Sequence, residues 1–335
     1  HETYYSTLFC KDQRTAKDRE IYEMELEGKI LLYVIERLFK TYSREDMNEM
    51  ISRPGDVKVL DIENSRNRLF SFATQFQSNE RYKYNVYMNE INADMSKWSA
   101  KDITAKYLFL IALNPSLRSR EKKVISLGLC RYMRKILILP DSAMGILLDQ
   151  YSKRIDDPII KMTNNLSTNC VKISQNWFQG NLNYMSSFCH SIAMDFYKDL
   201  NFDFAKTMGI DNVLTVSLVH SDDNQTGVCM IEKIDSLLET EKTTNIYNQS
   251  QDKKIATAIF KLLELSMRQF GFILNTKKTY ISSIIKEFIS MHNLNGEPFS
   301  VYHRFLFPVV GACSFLGPYE DLTARLSGIQ TAIRH

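Results

Sequence analysis

The chain has 335 residues, enough for two or three packed units with cores of their own. Apolar residues at 44% and charged residues at 24% are the proportions of a folded globular chain and exclude an intrinsically disordered one. A formal net charge of +3 neither demands nor excludes a polyanionic partner, because the distribution of charge decides that.

In chain order, residues 18–41 read as a helix, with Leu31, Leu32, Val34, Ile35, Leu38 and Phe39 on a wide apolar face. Residues 44–82 read as polar and irregular, with a turn at Arg53-Pro-Gly-Asp56. Tyr84 to Ala93 has strand character and ends in Asp94. The spacing of Ser99 and Asp102 predicts a capping box opening a helix whose buried face is Ile103, Tyr107, Leu110 and Ile111, ended by Asn114-Pro115. Residues 118–138 form a basic helical region, and another helix follows Pro140-Asp141. Gly180 opens the next helix, carried by Met185, Phe188, Cys189, Ile192 and Phe196. A strand-turn-strand then spans Val213 to Gln225, with Asp222 and Asp223 at its polar tip. A long amphipathic helix (Ile255, Ile259, Leu262, Ser266, Phe270) stops at Gly271, and two short β-rich runs follow at Thr279–Ile284 and Glu287–Met291. Mostly antiparallel strands packed on helices define an α+β class.

The chain contains neither repeats nor low-complexity tracts. Its six cysteines are scattered without a C-x-x-C, which argues against a zinc knuckle or a disulfide framework. No apolar run reaches the roughly 18 residues of a membrane span. The start at His1, without a methionine, reads as that of a piece cut from a longer chain, and the first residues do not read as a signal peptide.

Two adjacent carboxylates repel, so Asp222 and Asp223 stay ionised together only beside strong positive charge, for which divalent cations are the evident candidates. Asp94, at a strand end, can converge on them; alone it would be an ordinary turn or cap acid. The pair Asp156-Asp157 lacks flanking apolar strands and reads as surface. Gln179-Gly180 and Asn183, at a helix start, offer donors for phosphate or ribose, or simply a polar helix start. Lys11, Arg14, Lys17 and Arg19 could cradle a triphosphate, although interspersed acids also fit a solvated charged face. Lys277 and Lys278 offer a general acid beside a metal site, or a plain surface pair. Glu287 offers a third carboxylate, or a water-facing strand residue. The histidines show no metal-ligand spacing, and there is neither a Ser/His/Asp set nor a P-loop; His220 is expected to pack beside the acid tip.

The order of these signals carries more than any one of them. A cationic stretch, a strand-end Asp, a Gln-Gly helix, a paired-Asp hairpin, Lys-Lys and Glu-Phe-x-Ser follow the order of motifs F, A, B, C, D and E of viral RNA-dependent RNA polymerases. The segments Lys11–Ile21, Glu49–Asp56, Asn92–Asp102, Trp177–Ser187, Val219–Thr226, Lys277–Tyr280, Glu287–Ser290 and Gly317–Asp321 resemble the polymerase core of bunyavirus L proteins, particularly those of orthobunyaviruses and tospoviruses. The resemblance covers essentially the whole chain.

It implies a right-hand polymerase core with an antiparallel palm sheet packed on helices. Fingers with motif F would span 1–83, palm with motif A 84–113, a fingers insertion 114–170, palm with motifs B to E 171–291, and the start of the thumb 292–335. Asp94 and Asp223 are then metal ligands with Glu287 as a third, and Asp222 supports them. Mg2+ is the implied cofactor, with Mn2+ as a substitute. Lys277 or Lys278 supplies the motif D lysine. Lys11, Arg14, Lys17 and Arg19 line the nucleotide path; Gln179, Gly180 and Asn183 position template and ribose; Trp98 and Ser221 support the RNA site, Trp98 by bracing the motif A turn. The tip is Ser-Asp-Asp where many positive-strand enzymes have Gly-Asp-Asp. Ser99 stands where those enzymes often carry a second acid that senses the ribose 2′-hydroxyl, so Asn183 or backbone must take over discrimination. Implied partners are template and product RNA, nucleoside triphosphates, the endonuclease and cap-binding regions of a longer L protein, and the viral nucleoprotein, in host cytoplasm and virion with the ribonucleoprotein. Other readings are a catalytically inert RNA-binding portion, a metal-dependent phosphohydrolase, and a reverse transcriptase; His220-Ser221 before the acids speaks against the last.

Overall fold

The computed structural model describes residues 3–11, 19–78, 82–150, 158–164, 166–210, 212–234, 241–289, 291–294, 297–299 and 317–334. It begins with β1 (Tyr5–Lys11), β2 (Arg19–Met24), α1 (Leu26–Ser43), α2 (Gly55–Gln77) and β3 (Lys83–Asp94). Next come α3 (Trp98–Lys101), α4 (Lys106–Leu113), α5 (Ser119–Tyr132), β4 (Lys135–Ile138), α6 (Asp141–Gln150), α7 (Pro158–Met162) and β5 (Cys170–Ile173). Then follow α8 (Asn183–Thr207), β6 (Asn212–His220), β7 (Asp223–Ile234), α9 (Glu241–Gln269), β8 (Tyr280–Ser282), β9 (Ile285–Phe288), β10 (Met291–Leu294), β11 (Glu297–Phe299) and a last helix, Pro318–Arg334.

The main sheet has the order β6-β7-β3-β8, all antiparallel. Side chains alternate across a strand, so each strand feeds two cores. Tyr87, Ile91, Val228 and Met230 face α8 and α9 in the larger core, while Val86, Met88, Cys229 and Ile231 face Leu69 and Ala73 of α2. Gly227 marks where α2 lies closest, since a Cβ there would meet Leu69 Cδ1 at 2.1 Å. This two-sided support fixes the ends of β3 and β7, where Asp94 stands opposite Asp223. A second sheet, β2-β1-β4-β5, contains a parallel pair, β1 with β4, and a third has the order β11-β10-β9. Helices and largely antiparallel sheets together make the α+β class expected from the sequence. Among the described residues no helix is long and apolar enough to cross a membrane.

Several expected elements need correction. Residues 19–24 form a strand, because Tyr22 and Met24 turn inward while Ile21 and Glu23 face out, a period of two. The stretch expected to be irregular holds α2, whose buried positions Ile62, Ser65, Leu69 and Ala73 include a serine and an alanine, so its apolar stripe is faint. The basic region ends as a helix at Tyr132 and continues as β4. The helix expected from Ser99 is broken into α3 and α4, and Asp102 is not its cap. Instead Asp102 is buried and accepts from Tyr107 Oη and, at 2.8 Å, from Trp177 Nε1, with Lys106 Nζ at 2.5 Å. Asp156 and Asp157 lie outside the described residues.

Candidate active site

The β6–β7 hairpin pairs His220 with Asp223 and so leaves Ser221 and Asp222 as a two-residue turn. Such short turns match the twist of the strands when a central residue takes a positive φ. Ser221 does so, at φ 56°, a conformation that costs an L-residue about 1–2 kcal/mol and a glycine nothing. The turn reaches back to the end of β3, where the Met95 N–H donates to the Asp222 carbonyl at 3.2 Å. As a result one carboxylate oxygen from each of Asp94, Asp222 and Asp223 lies within 4.8 Å of the others.

At 4.8 Å and an effective dielectric of about 20, each ionised pair repels by about 3.5 kcal/mol. Asp223 is pushed up to about 7, by burial first and then by Asp222 and Asp94, with Lys278 opposing. Burial, reinforced by Asp94, also raises Asp222. Asp94 Oδ2 accepts from Asn275 Nδ2 at 2.7 Å and faces Lys278 Nζ at 3.5 Å. The Asn275 N–H also donates to the Asp94 carbonyl at 2.8 Å. A lysine as exposed as Lys278 supplies at most about 1 kcal/mol, too little to balance three acids. Lys277 is exposed and does not line the cleft, so of the lysine doublet the fold brings Lys278 to the acids.

Glu287 lies outside the group of three. Its carboxylate accepts from Tyr280 Oη at 3.1 Å and its N–H donates to Asn92 Oδ1 at 2.7 Å, which holds β9 beside β3. It remains near enough to raise Asp223 further. The geometry thus groups Asp222, expected as support, with Asp94 and Asp223, where the sequence reading placed Glu287. The two-residue turn, tied to the end of β3 by the Met95 N–H bond to the Asp222 carbonyl, brings Asp222 beside Asp94.

The acids line a cleft of about 940 Å³, within the range of small-molecule sites. Gln179, Gly180 and Asn183, Glu20 and Ile21 of β2, and Lys97, Trp98, Ser99, His220 and Asn275 line it too. Gly180, at φ 95°, sits where an L side chain is strained. Trp98 stacks on Phe272 at 4.6 Å and donates to Ser186 Oγ at 3.3 Å, which braces the turn after β3. His220 does line the site beside the acids, half-buried, and burial lowers it to about 4. Lys11 pairs with Arg19 at the end of the β1–β2 hairpin, whose second strand borders the cleft. Arg14 and Lys17 lie outside the described residues.

The expected anion site at the start of α8 needs revision. Its first free amides are already taken: Tyr184 N donates to Glu36 Oε2 at 2.9 Å and Met185 N to Glu36 Oε1 at 3.2 Å. Burial raises the Glu36 carboxyl to about 7 in spite of these bonds. Of this segment, Gln179, Gly180 and Asn183 still line the cleft, the two amides through side chains that can donate. We expect Glu36→Ala to destabilise the first turn of α8 by about 2 kcal/mol, so that hydrogen exchange at Tyr184 and Met185 accelerates roughly 30-fold. Glu36→Gln, which keeps a carbonyl acceptor, should show a much smaller change. Sequence reasoning missed Glu36 and the role of Asn275; an amide beside a lysine doublet was the one available signal for the latter.

The chain matches the family model described as bunyavirus RNA dependent RNA polymerase over residues 2–335. It belongs to that family. It is 46% identical to the RNA-directed RNA polymerase L of bovine Schmallenberg virus over 351 residues, covering 100% of this chain and 15% of that protein. The polymerase L of Bunyamwera virus is 42% identical over 338 residues, covering 100% and 14%, and that of tomato spotted wilt virus 33% over 294, covering 85% and 10%. The chain therefore spans about 15% of the length of the curated relatives it matches. The resemblance read from the ordered motifs is borne out.

Proposed function

We propose that this chain performs template-directed RNA synthesis, as the catalytic core of a polymerase that replicates and transcribes a segmented negative-strand genome. The observation that carries the reading is the group Asp94, Asp222 and Asp223 in a cleft also lined by Gln179, Gly180, Asn183 and Lys278. In this reading residues 1–83 and the insertion 114–170 are fingers, 84–113 and 171–291 are palm, and 292–335 begin the thumb.

The donor set fits a hard divalent cation: all three donors are carboxylate oxygens, and their mutual repulsion is what such a charge offsets. Mg2+, with Mn2+ as a substitute, is the expected ion. When bound, two such ions would activate the 3′-hydroxyl and stabilise the departing pyrophosphate. Asp94, Asp222 and Asp223 hold the site, and Glu287 adds negative charge behind it. Asn275 orients the Asp94 carboxylate. Lys278 Nζ gives its proton to the leaving group. Lys11, Arg14, Lys17 and Arg19 are the cations expected to meet the triphosphate, while Gln179 and Asn183 position template and ribose. With Ser99 where an acid could sense the 2′-hydroxyl, Asn183 is the discriminating group. Nucleoprotein, endonuclease and cap-binding regions are the expected partners, in ribonucleoprotein of host cytoplasm and virion.

The test uses a purified L protein carrying this chain, a short RNA template and labelled nucleotides. Incorporation of only the complementary ribonucleotide is expected. Salt-dependent RNA binding without incorporation would overturn the reading in favour of an inert RNA-binding module.

A further inference from the structure

The turn carrying Asp222 and Asp223 holds a strained serine, and every backbone hydrogen-bonding group of that serine is engaged by one helix. The Ser221 N–H donates to Ser187 Oγ at 3.2 Å. The Ser221 carbonyl lies 2.8 Å from His190 Nδ1. A carbonyl only accepts, so Nδ1 bears the proton and Nε2 is left as acceptor for Asn224 Nδ2 at 2.9 Å. Ser187 Oγ, for its part, donates to Glu49 Oε1 at 2.8 Å. Glu49 is itself fixed, accepting from the N–H groups of Ile51 and Ser52 at 2.7 and 3.3 Å, on a segment bridged to Val219 of β6. Glu49, Ser187 and His190 are 0% exposed.

We propose that Ser187 and His190 are positioning residues that clamp Ser221 in its left-handed conformation, held in turn by Glu49 and Asn224, and so set the spacing of Asp222 and Asp223 from Asp94. The inference rests on the polymerase reading above. It gives a role to the Glu49 segment, which the ordered motifs left without one. It also explains how serine stands where glycine would be unstrained: the clamp does what glycine's freedom would do. Asn183, Ser187 and His190 recur at helical spacing along one side of α8. One stripe therefore reaches from the cleft wall to the acid turn.

The test is made in an L protein carrying this chain, with two readouts: the Mg2+ midpoint of single-nucleotide incorporation, and hydrogen exchange at Asp222–Asn224. Ser187→Ala is expected to raise the Mg2+ midpoint and the turn's exchange rate, each by about 10-fold, with RNA affinity unchanged. His190→Phe, which keeps a ring against Trp98 and Phe272, should shift both in the same direction. Adding Ser221→Gly to Ser187→Ala should return both readouts to within about two-fold of the parent, because glycine holds the turn unaided. Unchanged turn exchange in both single variants, or a defect that Ser221→Gly does not relieve, would overturn the clamp. Should the parent incorporate no nucleotide, the polymerase reading fails, and the exchange readout still decides the clamp.

Discussion

Asp94→Ala and Asp223→Ala are each expected to lower nucleotide incorporation by on the order of 10³-fold or more, with template RNA affinity within about two-fold of the parent. The loss is electrostatic in origin. Three carboxylates within 4.8 Å of one another are a poor arrangement for folding and a good one for a divalent ion. Removing one ligand forfeits several kcal/mol of transition-state stabilisation, and each 1.36 kcal/mol is tenfold in rate. RNA affinity is preserved because the removed groups carry the same sign of charge as the phosphate backbone. Nor should the variants lose stability, since each deletion relieves repulsion of about 3.5 kcal/mol per ionised pair. Asp94→Ala also strands Asn275 Nδ2 and Lys278, so its defect should be at least as deep as that of Asp223→Ala. Filter binding alongside single-nucleotide incorporation checks both halves.

The second large effect concerns stability. Asp102→Ala should destabilise the junction between the turn after β3 and the segment before α8 by about 3 kcal/mol or more. Asp102 is buried and serves Tyr107, Trp177 and Lys106 at once. Its loss leaves the Lys106 ammonium packed over the Phe272 ring at 3.5 Å without a counter-charge. The Trp177 and Tyr107 donors lose their acceptor as well. The same junction is tied by Thr104 N to the Gln175 carbonyl at 2.9 Å and by Asn176 Nδ2 to the Ala100 carbonyl at 3.3 Å. Residues 98–107 and 176–182 should therefore open together, with hydrogen exchange roughly 100-fold faster in both. Exchange within about three-fold of the parent in both segments would show that Asp102 does not hold this junction.

Asp102 also shows what local pattern does and does not carry. Its spacing from Ser99 is that of a capping box, and Lys106 and Tyr107 are near it in the chain, but Trp177 stands 75 residues away, in no local window. The acid hairpin was legible because its signal is local: an alternating β-branched run, a short polar tip and a second run. Helices α8 and α9 were legible from apolar spacing alone. Helix α2 was not, because a serine and an alanine stand on its inward face. The β1–β2 hairpin was hidden by its charges. Within the site, Asp94 and Asp223 could be paired in advance by the order of motifs, but the distances that group Asp222 with them depend on a turn conformation. Glu36 and Asn275 act on partners 148 and 181 residues away, so nothing near them in the chain announces those contacts.

The most direct measurement of the central claim is single-nucleotide incorporation by an L protein bearing Asp223→Cys, in Mg2+ and in Cd2+. A thiolate is a soft ligand that serves Mg2+ poorly and thiophilic ions well. If Asp223 holds the ion during nucleotidyl transfer, the variant is inactive in Mg2+ and regains incorporation when Cd2+ is added. Parent-level incorporation by the variant in Mg2+ alone would contradict the account.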